Sequence, residues 1–306
     1  MIYATNRCNS RCNHCNIWKQ TPKTDISLNV VEDIISAKCT NSNFYETSFG
    51  LEGGEFILHP KYREILELVK DRDHILLSNA ILDDRLINAV REFKVKNVHI
   101  SLDGNRDGYI KVRGIDNFDK INHVVQELKN ETRIKMVYSA TPFNKPSDFE
   151  FVKKYCKKNN VEMGISIFAN YRLFEIDKGF KKNENVIKNY NLRNINNDYV
   201  KTYKKWIAGK TKLPCISPLF KIVCYPNGDI PFCCGRKEIL GNLYQKSLDE
   251  IWYSKKTKKI QKSIINKCNQ CWISYHRPSD FFYINLFKKC MPEPIVKKVL
   301  GVKYEF

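Results

Sequence analysis

Short apolar runs of strand length alternate with amphipathic helical patterns over the first 170 residues. Strict alternation of this kind indicates parallel strands joined by helical crossovers, hence an α/β sheet or a partial barrel, and of these we predict a partial (β/α)6 barrel over residues 1–170. Ligands of such folds bind at the carboxyl ends of the strands. The six strand-like runs cover residues 2–4, 48–51, 75–77, 98–102, 134–138 and 165–167. Five helical patterns separate them, over residues 27–38, 60–70, 86–93, 118–128 and 147–155.

The alternation stops near residue 170, and three further parts follow. Residues 171–212 are rich in lysine and asparagine, and we interpret them as a linker or covering segment with one helical pattern around Tyr199, Tyr203 and Trp206. Residues 213–275 hold six of the twelve cysteines, which predicts a small, cysteine-rich α+β domain. Residues 276–306 form a C-terminal tail in which aromatic residues mix with lysines.

The use of cysteine constrains the cellular setting. The residues before Cys8 do not form a secretory signal, so twelve thiols indicate metal binding or redox chemistry in a cytoplasmic protein rather than a disulfide framework. The sequence also lacks an apolar run of about 18 residues, so we expect no transmembrane segment.

The first cysteine cluster, Cys8-x3-Cys12-x2-Cys15, follows the first predicted strand. Three thiolates in so short a loop can hold three irons of a [4Fe–4S] cube and leave the fourth iron open to a small-molecule ligand. The alternative is a zinc site that His14 or a distant cysteine completes.

Three motifs at the ends of later predicted strands and an Arg-Gly pair beyond the last of them accompany this loop, and together they resemble the radical S-adenosylmethionine (radical SAM) superfamily. In chain order they are Gly53-Gly54-Glu55, Ser78-Asn79, Ser101-Leu102-Asp103-Gly104 and Arg113-Gly114. The resemblance implies that the loop binds a [4Fe–4S] cluster with S-adenosylmethionine (SAM) at its open iron. It also implies a set of SAM-binding residues, namely Gly53, Gly54, Glu55, Asn79, Ser101, Asp103 and Arg113. The chain departs from the family at residue 56, where phenylalanine replaces the common proline.

The second cysteine set resembles the SPASM domain, the auxiliary-cluster extension of many radical SAM enzymes. The similarity covers residues 213–275 and includes the segment from Leu240-Gly241-Asn242 to Ile251-Trp252. It implies one auxiliary [4Fe–4S] cluster with four ligands, Cys215, Cys233, Cys268 and Cys271, although Cys234 could replace Cys233. A second auxiliary cluster is not expected, because Arg277 stands where the fuller family pattern continues with cysteine. A structural zinc ribbon is the alternative for this set.

The resemblance implies an oxidoreductase that reductively cleaves SAM to a 5′-deoxyadenosyl radical, which abstracts hydrogen from a substrate. The auxiliary cluster would take up an electron, giving dehydrogenation or, alternatively, epimerisation of a small polar metabolite such as a sugar. A peptide-modifying maturase is the second possibility. Because Cys8 lies so near the start of the sequence, we expect no leader-binding domain ahead of the barrel. The electron donor would be an external reductant such as flavodoxin or ferredoxin.

The chain is strongly basic, with 52 Lys and Arg against 33 Asp and Glu, a net charge of +19. The lysines are spread along the chain, which is typical of a solvated surface, and they also favour an anionic or polar substrate. The rival class is a basic, zinc-containing nucleic-acid-binding protein. We expect no nucleic acid partner, because the sequence contains no recognised binding module and no array of aromatic residues for base stacking.

Overall fold

The structure, a computed structural model, describes residues 1–41, 46–168, 186–190, 198–211, 213, 215–264, 268–269, 271–292, 294–295 and 298. Six parallel strands make up the first sheet. They are β1 (Ile2–Thr5), β2 (Phe49–Gly53), β3 (His74–Ser78), β4 (Asn97–Ser101), β5 (Arg133–Ala140) and β6 (Glu162–Ile167). The helices between them are α1 (Leu28–Ser36), α2 (Tyr62–Val69), α3 (Asp83–Glu92), α4 (Arg106–Arg113), α5 (Phe118–Leu128) and α6 (Pro146–Asn159).

The strands lie side by side in chain order, β1 to β6, and every neighbouring pair is parallel. Crossovers that all advance in one direction place their helices on one face of the sheet, which gives a partial barrel with an outer helical layer. The core lies between the sheet and these helices and includes Leu51, Leu76, Val98 and Met136, all with no exposed surface. The predicted α/β class and partial (β/α)6 barrel are confirmed.

One helix was missed by the sequence analysis. α4 is only eight residues long, and its few apolar residues do not form a repeat that reveals a buried stripe. Its ends carry the usual signals: the Asn105 side chain accepts a hydrogen bond from the Gly108 N–H, and Gly114 ends the helix with φ of 73°. The five-helix prediction was therefore wrong by one helix, and this helix carries Arg113 in its last turn.

The C-terminal part is built from helices and one small sheet. β7 (Asp229–Pro231) pairs antiparallel with β8 (Ile239–Asn242). The helices are α7 (Asp198–Ile207), α8 (Leu248–Trp252), α9 (Lys255–Ile264) and α10 (Arg277–Cys290). The helical pattern predicted within residues 171–212 is confirmed by α7. Residues 171–185, 191–197 and 212 of that segment lie outside the described residues, and the predicted domain limits stay predictions.

The C-terminal part contacts both edges of the parallel sheet. At one edge, the Tyr3 N–H donates to the Cys224 carbonyl at 2.9 Å, and the Cys224 N–H donates to the Met1 carbonyl at 2.9 Å. At the other edge, the hydroxyls of Ser166 and Ser274 are 3.0 Å apart. The inner face of the sheet therefore faces the cysteine-rich region. Among the described helices, none combines the length and the apolar character needed to cross a bilayer.

Candidate functional site

The first three cysteines lie in the loop after β1, and this loop is attached to the end of α4. The Arg11 N–H donates to the Arg113 carbonyl at 3.1 Å, and the Asn13 N–H donates to the Val112 carbonyl at 2.9 Å. The last carbonyls of a helix have no partner within the helix, so they are available to bind the loop. The helix that the sequence did not reveal thus holds the middle of the cysteine loop.

Two glycines at the end of β2 allow the strand to pack directly on the start of this loop. A Cβ atom at Gly54 would lie 2.1 Å from the Arg7 carbonyl oxygen and 2.9 Å from the Cys8 Cβ. A Cβ atom at Gly53, whose φ is +149°, would lie 2.4 Å from the Thr5 carbonyl oxygen. The family resemblance implies that Gly53 and Gly54 bind SAM. Their observed neighbours are the backbone of the loop that carries the thiols.

Glu55 and Asn79 lie beside the same loop. The buried Glu55 carboxylate accepts hydrogen bonds of 2.8 Å from the Ser78 hydroxyl and from the Asn79 N–H. Burial raises the pKa of Glu55 to about 7, against the lowering effect of these hydrogen bonds. The Asn79 amide nitrogen donates to the Asn9 side chain at 2.9 Å and lies 4.0 Å from the Cys8 sulfur.

Asp103 and Arg113 form a buried ion pair on the other side of the loop. The Arg113 Nε donates to one Asp103 oxygen, and the Ser139 N–H donates to the other at 2.7 Å. The Arg113 Nη1 lies 3.7 Å from the Cys12 sulfur, which places a cation beside a predicted cluster ligand. Ser101, the remaining predicted SAM contact, is half-buried at the end of β4.

The three thiols fit a metal cluster rather than a single zinc ion. Burial, together with the nearby Cys12 thiol, raises the pKa of Cys8 and of Cys15 to about 12. A bound cation is therefore needed to hold these side chains as thiolates near neutral pH. Three thiolates on one zinc would place their sulfurs about 3.8 Å apart, from a Zn–S bond of about 2.3 Å. Among the described His, Cys, Asp and Glu side chains, no three of these cysteine or His14 ligand atoms all lie within 4.8 Å of one another. The wider spacing suits a group with several metal atoms.

The second cysteine set surrounds a similar site. Burial raises the pKa of Cys233 to about 12, and the neighbouring Cys271 and Cys268 thiols also raise it. The pKa of Cys215 is raised by burial, with Cys271 and Cys268 among the groups that act on it. Cys268 and Cys271 thus lie close enough to act on both Cys215 and Cys233, which groups the four thiols at one site, as a cluster with four cysteine ligands requires.

Cys234, the neighbour of Cys233, is buried in a second apolar cluster with Tyr3, Val223 and Ile273, against which Cys271 also packs. Cys271 and Cys268 are among the groups that raise the pKa of Cys233, whereas Glu52 of β2 is among those that raise the pKa of Cys234. This placement favours Cys233 over Cys234 as the auxiliary ligand, a choice that the spacing in the sequence left open.

Three ionisable side chains on the inner face were missed by the sequence analysis. Glu52, His99 and Lys135 alternate along their strands with residues of the outer core, so they point to the other face. In the strand register, His99 of β4 lies between Leu77 of β3 and Lys135 of β5. Glu52 of β2 lies beside Tyr3 of β1. We call Glu52, His99 and Lys135 the inner polar layer. Polar residues at the inner positions of otherwise apolar strands were the available signal.

Burial changes the pKa of two groups in the inner polar layer, His99 and Glu52. Burial lowers the pKa of His99 to about 4, with a smaller contribution from Lys135, so the imidazole is neutral. Burial raises the pKa of Glu52 to about 7, and its buried Oε1 has no hydrogen-bond partner among the residues that the structure describes. Lys135 Nζ lies 3.3 Å from a Glu162 oxygen. The layer can therefore offer a neutral ring, a cation and a carboxyl group that titrates near neutral pH.

Comparison with protein families identifies both parts of the chain. Residues 2–151 match the model of the radical SAM superfamily, and residues 215–272 match SPASM, an iron–sulfur cluster-binding domain. These two matches imply SAM and [4Fe–4S] clusters as cofactors. A search of curated proteins found no match.

Solved structures with the same fold include two proteins. Native anSMEcpe with bound AdoMet is 18% identical, with a TM-score of 0.60 over 98% of each chain. SuiB of Streptococcus suis bound to S-adenosylmethionine is 15% identical, with a TM-score of 0.64 over 85% of this chain and 66% of SuiB. SuiB bound to its precursor peptide SuiA is also 15% identical, with a TM-score of 0.63 over 88% of this chain and 70% of SuiB. With these two family matches and this fold, the chain belongs to the radical SAM superfamily and carries a C-terminal SPASM domain.

Proposed function

We propose that the protein is an oxidoreductase that dehydrogenates a small polar metabolite, such as a sugar, bound against the inner polar layer. When bound, SAM and the N-terminal cluster supply a hydrogen-abstracting radical, and the auxiliary cluster supplies a one-electron acceptor. The observation that carries the proposal is the position of the layer. His99 lies two residues before Ser101 on the same face of β4, about 7 Å deeper in the barrel than the strand ends.

The inner polar layer has the groups that such a substrate needs. The neutral His99 ring can both donate a hydrogen bond to a hydroxyl group and accept one. Lys135 adds a positive charge for an anionic or strongly polar group. Oxidation of an alcohol to a carbonyl removes one hydrogen atom, one electron and one proton, and the unpaired Glu52 Oε1 is a suitable acceptor for the proton.

The iron–sulfur domain covers part of this layer. Tyr275 is half-buried against the Tyr3–Cys234 cluster, and burial, followed by Cys234 and Glu52, raises its pKa. A cover of this kind excludes water from the reacting groups, which limits quenching of a reactive intermediate. The Ser166–Ser274 contact holds the same domain against β6.

The proposed electron donor is an external one-electron reductant such as flavodoxin or ferredoxin. The net charge of +19 supports an acidic partner protein or an anionic substrate, because opposite charges accelerate diffusional encounter. Raising the ionic strength should slow reduction by the protein donor more than reduction by dithionite.

The test starts from anaerobically reconstituted protein, for which we expect about eight irons per chain. Sugars and aminocyclitols are incubated in D₂O with SAM and a reductant, and 5′-deoxyadenosine and products are quantified by mass spectrometry. Dehydrogenation gives an oxidised product without solvent deuterium, in a fixed ratio to 5′-deoxyadenosine. Solvent deuterium at a carbon of the product would instead indicate epimerisation.

Matched lysine variants test the inner polar layer. Lys135→Met should lower kcat/KM for the substrate at least tenfold and leave substrate-independent SAM cleavage unchanged. Lys153→Met, which removes a lysine of α6 with similar side-chain exposure (37%, against 35% for Lys135), should leave both rates unchanged. Equal substrate kinetics in the two variants would contradict the placement of the substrate.

Peptide modification is the second candidate function. It is favoured by the solved relatives, since SuiB is described with its precursor peptide SuiA and anSMEcpe with a Kp18Cys peptide. Under this alternative the sugars and aminocyclitols would give no product, and a peptide substrate would change mass in a SAM-dependent reaction.

A further inference from the structure

Arg277, the first residue of α10, is completely enclosed by protein. It occupies the position at which the fuller SPASM pattern continues with a cysteine. Transfer of a cation out of water is costly unless hydrogen bonds and an opposite charge compensate it, so the partners of this guanidinium show what it stabilises.

The guanidinium joins the segments that carry three of the four auxiliary cysteines. Its Nε donates to the carbonyl of Cys271 at 3.0 Å. Its Nη2 donates to the side chain of Asn269, which lies between Cys268 and Cys271, at 3.2 Å. Its Nη1 donates to the carbonyl of Leu213, two residues before Cys215, at 3.3 Å. The planar fork of arginine can make these bonds together, whereas the single ammonium of lysine cannot.

Asp280 extends this network around Cys215. One Asp280 oxygen lies 3.0 Å from the Arg277 Nη1, and the other accepts the Ile216 N–H at 3.0 Å. The backbone on both sides of Cys215 is thereby held, by Arg277 at the Leu213 carbonyl and by Asp280 at the Ile216 N–H. Both side chains of the ion pair have no exposed surface, so water does not screen their charges.

We propose that Arg277 and Asp280 act as a positioning pair, holding the Cys215 and Cys268–Cys271 segments in the arrangement that binds one auxiliary cluster. A second role follows from charge, since a buried cation beside cluster ligands stabilises the added electron of the reduced cluster. The loss of Arg277 therefore lowers the reduction potential of the auxiliary cluster, and neutralisation of Asp280 raises it. The proposal rests on the auxiliary cluster alone and is independent of the substrate.

The test uses the full chain with Cys8, Cys12 and Cys15 replaced by alanine, so that only the auxiliary site remains. This background should bind about four irons after anaerobic reconstitution. Arg277→Met, Arg277→Lys and Asp280→Asn are introduced into it. Arg91→Met is the control, because Arg91 forms exposed ion pairs with Glu127 and Glu131 of α5 and the loop after it. Iron content, electron paramagnetic resonance of the reduced cluster and its midpoint potential are measured without substrate.

We expect Arg277→Met to lose at least half of the iron and to shift the potential of the remaining cluster downward. Arg277→Lys should lose iron but, because the charge is kept, show a smaller shift in potential. Asp280→Asn should shift the potential upward, and Arg91→Met should match the background. Full iron with an unchanged potential in Arg277→Met would overturn the proposal, as would shifts of the same sign in Arg277→Met and Asp280→Asn. If Arg277→Met does not fold by circular dichroism, the Arg277→Lys and Asp280→Asn potentials decide. None of these measurements bears on the proposed dehydrogenation.

Discussion

The Asp103–Arg113 pair provides the sharpest test of how the N-terminal site is held together. Asp103 has no exposed side-chain surface, and the Arg113 side chain is 10% exposed. Removal of one partner from a buried ion pair costs about 3–5 kcal/mol, because the other charge stays buried without compensation. In Asp103→Asn the new amide oxygen can still accept the Ser139 N–H, so we expect a loss near the lower limit, about 3 kcal/mol.

Unfolding entropy is about 2.1 cal/mol/K per residue, so for 306 residues a loss of about 3 kcal/mol lowers the melting temperature by about 5 °C. The assay is thermal unfolding of the apoprotein followed by circular dichroism. After reconstitution the N-terminal site should hold less iron than in the unmodified protein, because Arg113 no longer has a fixed position beside Cys12.

The matched control is Glu92→Gln. Glu92 pairs with Arg63 on the surface, where the two side chains are 42% and 52% exposed. Exposed pairs contribute about 0–1 kcal/mol, so this variant should melt within about 2 °C of the unmodified protein. The reasoning is refuted if Asp103→Asn melts together with Glu92→Gln and binds full iron.

Three further outcomes are expected. Gly54→Ala should lower the iron content of the N-terminal site, because the added Cβ would overlap the backbone of the cysteine loop. Gly209→Asn is the control, because a Cβ there meets nothing within 4 Å and asparagine tolerates the φ of +70°. Equal iron contents in the two variants would contradict this reasoning. The pKa of Glu55 rises from 4.5 to about 7 on folding, so its native state binds the extra proton and stability falls as pH rises from about 4.5 to 7. Glu55→Gln should flatten that part of the apoprotein stability profile in urea titrations, and an unchanged slope would show that the carboxyl does not titrate there. Cys233→Ser should abolish the auxiliary cluster signal and Cys234→Ser should keep it, whereas the reverse result would exchange their roles.

Local patterns were sufficient for the fold of the first 167 residues. The outer faces of the strands and the inner faces of α1, α2, α3, α5 and α6 are apolar at regular spacing, so each element could be identified without its neighbours. α4 escaped because it contributes few residues to the core and is held mainly by its capped ends and its contacts with the cysteine loop.

The sequence alone was sufficient to identify the two sets of cysteines and the motifs at the strand ends, because a metal-binding loop and a strand terminus are local features of the chain. Tertiary structure alone decided which groups face one another. Asp103 pairs with Arg113 because a strand end and a helix end meet, and His99 lies beside Lys135 because of strand register. Likewise, Cys233 lies near Cys268 and Cys271 while Cys234 is buried against Tyr3 of the barrel, at a turn that the Arg236 N–H closes by donating to the Cys233 carbonyl. Such relations join residues far apart in the chain, and spacing along a sequence carries no information about them until the elements are packed.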